Sequence, residues 1–574
     1  MMVTWIESFV GVRARQAKYL LCGAGLIAAY WVRFVQDDAF ISYRYAKNAA
    51  RGHGFVFNEG DRVEGYTNFL WTALHVIPEK LQWSSPWFSI VLGLCVFAGT
   101  LVAVARLASL VFQSEAKVLL TLAVLVANMT FLLYGSSGLE TMLQTGLLLC
   151  CAIVAIVHVI PEGEIGADLG KARVLSGLAA AGALLTRLDS AVLIATWFLA
   201  TLWQVWGSSD RAARPKNMVV ASLQLGALPL LICGPWMLWK IDYYGNLLPN
   251  TFYAKSAGSP LTPLLYGVAY LLFFFLTYGA FLLIGRARRV WPTIRSNRRL
   301  WVLMVSLPVW GAYICYVGAD FMEYRFMVPV LPVLGCIAAE VINPVRSRGR
   351  QLGLISVLLL FSLLHRVLPF TGPNLGIPLL NHWPTESSTS WYAMGEALQD
   401  AFPNGQDVKR SPQIAVAPAG VIPYVSDLPT VDMLGLSEPK IAREGDTLPI
   451  YFPGHVRMAT VEQLQEREAN LVVGLPLLER TAAGEEPRSE YLLSDLVLMW
   501  PGPDLSKLPT SAEIIEIPLD EGVSWAVISL VPSGLVDTAV KERGWRRVPI
   551  AHRCDLDGAN PVIKRFARKT CDQV

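Results

Sequence analysis

The chain has 574 residues, of which 53% are hydrophobic and only 16% charged, with a formal net charge of +3 and a mean hydropathy of +0.43. A soluble globular protein does not need so apolar a composition, so the chain is read as an integral membrane protein. The small net charge argues against a nucleic-acid partner, and the Lys and Arg residues carry information through where they fall.

Apolar stretches of the length that spans a hydrocarbon core, roughly 17–25 residues, are expected near 17–35, 87–112, 117–134, 141–160, 173–187, 190–207, 217–236, 262–285, 299–318, 326–343 and 351–370. They add up to about eleven transmembrane helices. No small-residue cleavage site precedes Asp37 and Asp38, so the first stretch reads as a retained helix and not a signal peptide. Basic clusters fall at alternate ends of these stretches: Arg13, Arg15 and Lys18; Lys171 and Arg173; Arg211, Arg214 and Lys216; Arg286, Arg288, Arg289, Arg295, Arg298 and Arg299; Arg346, Arg348 and Arg350. The positive-inside rule makes these loops and the N-terminus cytoplasmic. An odd number of spans then puts the tail after residue 370 outside.

With that topology the polar motifs collect on the external side. The first external loop, 36–86, holds DDAFISYRYAKN and GHGFVFNEGDRVEGYTNFLW; later loops hold GSSGLE at 135–140, TRLDS at 186–190, GNLLPNTFYAK at 245–255 and GADFMEYR at 318–325. A transporter would instead place ionisable residues near the bilayer midplane. Beyond 370 the apolar runs shorten, as in QIAVAP, ANLVVGLPLL and VSWAVISLV, between Pro, Gly and charged clusters. That pattern predicts strands and turns, hence two domains: a membrane domain over 1–370 and an α+β domain over 371–574. Of the nine cysteines, only Cys554 and Cys571 lie in the tail, where an oxidising compartment allows them to pair.

Asp37 and Asp38 are adjacent, so on a helix they point about 100° apart and cannot face one ligand alike. One of them is a candidate base, tuned by a helix dipole and by repulsion from its neighbour. Arg44 and Ser42 lie further along the same helix; the plainer reading is an N-cap on an amphipathic surface helix. Asn58, Glu64, Tyr66 and Asn68 suit a polyhydroxyl ligand, and Trp71 suits either a sugar face or the membrane interface. His53, with no second nitrogen ligand in evidence, is a weak metal ligand. Arg187, Lys255 and Arg325 could grip a phosphate, or pair with Asp189, Asp320 and Glu323.

Taken together, DDAFISYRYAKN, GHGFVFNEGDRVEGYTNFLW, GLE, NTFYAK, GADFMEYRFMVPVLP and VAPAGVIPYVSDLPTVDMLGL resemble the AftB-like arabinofuranosyltransferases of mycobacterial envelopes, and the similarity spans most of the chain. The resemblance implies a polytopic helical membrane protein of the GT-C class in a bacterial plasma membrane. It implies a polyprenyl phosphate sugar donor and an envelope glycan or protein acceptor whose hydroxyl displaces the lipid phosphate directly. Asp37, or else Asp38, would take the hydroxyl proton, while Lys255, Arg325 and Arg187 would offset charge on the departing phosphate. Arg44, Glu64, Tyr66, Asn68 and Asp320 would shape the donor site, and Asn250 and Tyr253 would orient donor groups. In the tail, Pro418, Gly420 and Tyr424 match the family pattern, and Asp432 and His455 are candidates for an acceptor cleft. No P-loop or dinucleotide fingerprint is present in a strand-helix context, so no nucleotide cofactor is expected; a divalent cation bridging acids and phosphate stays open. The rival readings are a lipid-linked sugar transporter or flippase, and a binding module on a membrane anchor.

Overall fold

The computed structural model describes residues 2–157, 169–255, 261–342, 348–368, 370–371, 374–378, 387–481 and 486–573. Arg346 and residues 158–160, 343 and 369, at the ends of expected stretches, lie outside them.

Helices follow one another from α1 (Met2–Trp31) through α2 (Asp37–Arg51), α3 (Phe69–Leu81), α4 (Ser85–Val111), α5 (Glu115–Val126), α6 (Met129–Leu133), α7 (Thr141–Val157), α8 (Leu169–Thr186), α9 (Ser190–Ser208) and α10 (Arg214–Tyr244). Then come α11 (Asn250–Lys255), α12 (Leu261–Thr277), α13 (Phe281–Ser296), α14 (Arg298–Met304), α15 (Ser306–Val317), a 3-10 turn at Arg325–Val330, α16 (Leu331–Ile342) and α17 (Arg348–His365). Every apolar stretch read from the sequence falls on a helix or on a broken pair.

The count of about eleven crossings is not reached by length and hydropathy. Among the described residues five segments qualify: Ser85–Val111, Ser190–Ser208, Arg214–Tyr244, Arg298–Val317 and Arg325–Ile342. α12 and α13, bent by 89°, make six if they act as one span. Two of the expected stretches are broken by local features. The 117–134 stretch is cut where the Asn128 side chain accepts the Phe131 N–H and starts α6 afresh, since an N-cap competes with continuing the helix. The 262–285 stretch turns at Gly279, whose φ of 63° is in the left-handed region.

α2 does not lie on a surface. The Gln36 side chain accepts the Asp38 N–H at 2.6 Å, and left-handed Gly52 ends the helix. Between those caps most side chains are buried, Phe40 and Tyr43 in the membrane-domain core and Ile41 and Tyr45 in a second cluster shared with the tail. α2 is thus a core element joining the two domains.

The tail carries a seven-stranded mixed sheet in the spatial order Thr430–Asp432, Ile414–Val416, Leu471–Arg480, Val523–Ser529, Glu513–Asp520, Arg546–Ala551 and Tyr491–Leu492. The three apolar runs expected to be strands lie at 414–416, 471–480 and 523–529. The first three strands in that order are parallel, pairing Ile414 with Thr430 and with Leu471; the middle of the sheet is antiparallel. This is a C-terminal α/β domain, in which the short helix Val421–Ser426 crosses between two parallel strands. The carboxyl ends of those strands face the membrane domain, because Gly420, after the first, touches Asp37 and Leu436, after the second, reaches the cavity described below. Cys554 and Cys571 form a disulfide with Cα atoms 5.7 Å apart.

Candidate active site

Five motif-bearing segments converge on a single cavity of about 680 Å³. Its walls include Asp38, Ser42, Tyr66 and Asn68 from the first loop, Glu140 from GLE, Arg187 and Asp189, Lys255 from NTFYAK, and Asp320 and Arg325. The tail contributes Leu436, Tyr451 and Gly454.

The two adjacent acids part company. Asp38 lines the cavity; burial raises its carboxyl above the usual aspartate range, although Arg325 and Lys255 pull it down. Asp37 is turned the other way: its two oxygens accept the backbone N–H groups of Gly420 at 3.1 Å and Val421 at 2.7 Å. Burial, with repulsion from Asp38 adding to it, pushes the Asp37 carboxyl up to about 7 despite those two bonds. The 100° step between consecutive helical residues thus gives one acid to the cavity and the other to the tail. Gly420 is required by this approach, since a Cβ there would collide with the Asp37 carbonyl.

Several other residues read as donor-site candidates hold the tail or the scaffold instead. Arg44, fully buried, donates to the carbonyls of Phe57 at 2.7 Å, Leu428 at 2.7 Å and Pro423, and to Asn58 Oδ1 at 3.1 Å. Glu64 pairs with Lys240 at 3.0 Å away from the cavity lining. Asn250 donates to the Gly435 and Leu436 carbonyls at 2.7 and 3.1 Å, and the Arg443 guanidinium sits 4.5 Å from the Tyr253 ring centre. Asp432 accepts the N–H groups of Leu434 and Ser437, which shapes the 432–437 loop, while burial raises its carboxyl to about 6. His455 packs edge-on against Phe321, ring centres 4.6 Å apart. Neither of the last two is in the cavity lining. Arg44, Asn250, Tyr253 and His455 share one cause: the tail docks on the membrane domain, and the contacts between them consume side chains that a sequence reading assigns to ligand; Glu64 is taken by Lys240 and Asp432 by its own loop.

The remaining candidates form a hydrogen-bonded wall. Asn68 exchanges bonds with Ser42 and donates to Glu140 at 2.9 Å; Tyr66 and Tyr244 share a bond at 3.1 Å. Arg187 bridges Glu140 at 2.9 Å and Asp189 at 2.7 Å. Arg325 meets Asp320 at 2.5 Å. Burial opposes ionisation of Glu140, but Arg187, Arg325 and the Asn68 bond outweigh it and hold that carboxyl below its ordinary range. Glu140 and Asp189 were quoted in the sequence motifs without a site role; GLE and TRLDS carried the signal. Tyr313 and Tyr451 had none, being single aromatics in apolar or strand-like segments. No group of three or more His, Cys, Asp or Glu among the described residues is placed to hold a metal ion.

Residues 381–513 match a family described as Domain of unknown function (DUF8728). The chain is 26% identical over 373 residues to a terminal beta-(1->2)-arabinofuranosyltransferase of Corynebacterium glutamicum, covering 59% of this chain and 53% of that protein. It is 26% identical over 238 residues to the protein of the same description from Mycobacterium tuberculosis, covering 39% of this chain and 35% of the relative. The chain is arabinofuranosyltransferase-like. It spans about half the length, or less, of these curated relatives. In fold it is similar to ArnT of Cupriavidus metallidurans, with TM-scores of 0.51 for the apo crystal structure and 0.52 for that bound to undecaprenyl phosphate. Sequence identity to both is 14%, and the match covers 92–93% of this chain and 98–100% of ArnT. In fold the chain is thus similar to ArnT along most of its length, with a multi-helix domain followed by a C-terminal α/β domain.

Proposed function

We propose that the protein is a membrane glycosyltransferase that moves a sugar, arabinofuranose by analogy with its curated relatives, from a polyprenyl phosphate to a hydroxyl of an envelope glycan or protein. The observation that carries this reading is the convergence of Asp38, Lys255, Arg187, Arg325 and a set of amide and hydroxyl groups on one cavity. An ArnT of similar fold binds undecaprenyl phosphate, which supports a polyprenyl phosphate as donor.

The reaction is a direct displacement. Asp38 accepts the proton of the acceptor hydroxyl as its oxygen attacks the anomeric carbon; the C–O bond to the lipid phosphate breaks, and the phosphate leaves with the electron pair. Lys255, aided by Arg325 and Arg187, stabilises the charge that grows on the phosphate. Asn68, Ser42 and Tyr66 line the cavity with amide and hydroxyl groups that can donate to and accept from sugar hydroxyls. The chemistry takes place on the external face, with the α/β tail outside; the alternating basic clusters and the Cys554–Cys571 disulfide support this orientation.

The test replaces Asp38 with Asn in protein reconstituted in nanodiscs and follows transfer from a synthetic polyprenyl phosphate arabinofuranose. Loss of transfer with retained donor binding is the expected result; undiminished transfer overturns the assignment. A transporter reading predicts movement of the donor across proteoliposomes with no new glycosidic bond, and no feature of the cavity favours it.

A further inference from the structure

The loop that brings Asp320 and Arg325 to the cavity also holds a carboxylate with no part in the displacement. Glu323 lies between them in sequence, yet its side chain is fully buried against an equally buried His365, Nε2 to Oε1 at 2.5 Å. Neither residue is in the cavity lining. The same carboxylate oxygen accepts the Thr130 hydroxyl. Because the Thr130 hydrogen goes to Glu323, the Tyr278 hydroxyl, 2.5 Å away, must donate to Thr130 Oγ1, while its oxygen accepts the Thr130 N–H at 2.9 Å. Four segments meet here: the ends of α12 and α17, the start of α6 and the 318–325 loop.

What the pair anchors is a strained turn. Among the described residues five non-glycine residues have a positive φ, and two of them, Ala319 at 68° and Tyr324 at 23°, fall in this one loop. Such conformations persist only where their surroundings over-determine them. Around Tyr324 the surroundings do so: Tyr134 donates to the Glu323 carbonyl at 2.7 Å, the Tyr324 hydroxyl shares a hydrogen bond with Thr277 at 2.8 Å, and Tyr270 accepts the Phe326 N–H at 3.0 Å. Arg325 follows the strained residue directly, and it lines the cavity beside Asp320.

Pinning α17 is the plainer role, since Ser362, nearly one turn before His365, also reaches α6 by accepting the Met129 N–H at 2.8 Å. That role leaves the strain unexplained, because a carboxylate could pin α17 from a relaxed turn. Strain kept next to a cavity-lining guanidinium points to pre-organisation, which leaves less ordering for the ligand to impose.

We propose that Glu323, held by His365, is a positioning residue that fixes the Tyr324 turn and thereby aims the Arg325 guanidinium at the donor phosphate. This rests on the polyprenyl phosphate reading of the same cavity and adds to it a pair that touches no substrate.

The test compares the full chain in nanodiscs with Glu323→Leu, Glu323→Gln and His365→Phe, each alone and combined with Arg325→Met. The readouts are KM for a synthetic polyprenyl phosphate arabinofuranose and for an arabinofuranoside acceptor, and the Kd of farnesyl phosphate, a short lipid phosphate without a sugar. Glu323→Leu and His365→Phe are expected to raise the donor KM and the farnesyl phosphate Kd by about 3–30-fold, the range of a coupling within one hydrogen-bond network, with the acceptor KM unchanged. Glu323→Gln, whose amide oxygen still accepts from Thr130 and His365, should stay near wild type. In the Arg325→Met background the same changes should add nothing, because the group they aim is gone. Should Glu323→Leu fail to fold, His365→Phe, which keeps a ring against Tyr278 and Tyr324, carries the test. A fall in kcat with both KM values and the Kd unchanged, or an equal loss in the Arg325→Met background, overturns the proposal and leaves the pair as a fold anchor. Farnesyl phosphate binding that depends on Glu323 only while Arg325 is present, with no transfer by the wild type, upholds the positioning and sinks the transfer reading instead.

Discussion

Replacing Asp37 with Ala should loosen the docking of the tail without touching the reacting groups. The substitution strips two buried backbone N–H groups, those of Gly420 and Val421, of their acceptor. An orphaned buried donor costs about 1–3 kcal/mol, so the pair costs about 2–6 kcal/mol, and even the lower figure shifts a docking equilibrium by about 30-fold. Other contacts remain: Asp427 keeps its pairs with Arg51 at 2.6 Å and Lys47 at 3.3 Å, so the tail should loosen and not detach. Hydrogen exchange is the assay, with faster exchange expected over α2 and over 414–436. Gly420→Ala, which drives a Cβ into Asp37, should give the same pattern, and the double variant should fall short of the sum because both act on one contact. The pH dependence has a definite sign. Burial lifts the folded-state carboxyl to about 7, so the docked form holds its proton more tightly than an exposed aspartate would. Docking should therefore be strongest in acid and weaken as pH rises toward 7, and Asp37→Asn should abolish that slope. Unchanged exchange in Asp37→Ala, combined with lost transfer, would refute the reasoning and return Asp37 to the substrate.

Asp38→Asn should lower kcat by about 10²–10⁴-fold with donor KM little changed. Because the base works ionised and burial raises its pKa, the wild-type acid limb of kcat/KM should lie above the ordinary aspartate range and vanish in that variant. Lys255→Met should raise donor KM by about 10–100-fold, the worth of a charge-assisted bond of about 1.5–3 kcal/mol, read in a steady-state titration of the lipid donor. Replacing Cys554 and Cys571 by Ser opens a loop closed over 17 residues, which should destabilise the tail to denaturant by about 3 kcal/mol while the membrane helices hold.

The parts of the fold set by local pattern were legible in the sequence. Hydrophobic length located the helices and short apolar runs located strands at 414–416, 471–480 and 523–529, because both signals are properties of contiguous residues. Helix breaks were not legible: Asn128 reads as a tolerated polar residue in an apolar run until its side chain is seen capping α6. In the site, the five motif-bearing segments that line the cavity were all quoted in advance, yet Arg44, Glu64, Asn250, Tyr253, Asp432 and His455 lie outside its lining. A motif reports that polar groups are grouped along the chain. Whether each meets a ligand or another domain depends on contacts hundreds of residues apart, such as Arg44 with Leu428, which no single-chain pattern encodes.

The charge balance inside the cavity bears on how a phosphate is held. Arg187 is already matched by Glu140 and Asp189, and Arg325 by Asp320, so neither guanidinium has a whole charge to spare for a ligand. Among the described residues no carboxylate lies within ion-pair distance of Lys255, although Asp320 and Asp38 act on it from further off. Under the proposed donor chemistry an incoming phosphate would be drawn first to Lys255. It gains Arg325 only by competing with Asp320, and in doing so it frees a carboxylate near Asp38, whose repulsion strengthens Asp38 as a base. On this argument the donor's arrival prepares the base for the acceptor, and the paired arginines act as a scaffold whose charge becomes available when the phosphate has come in.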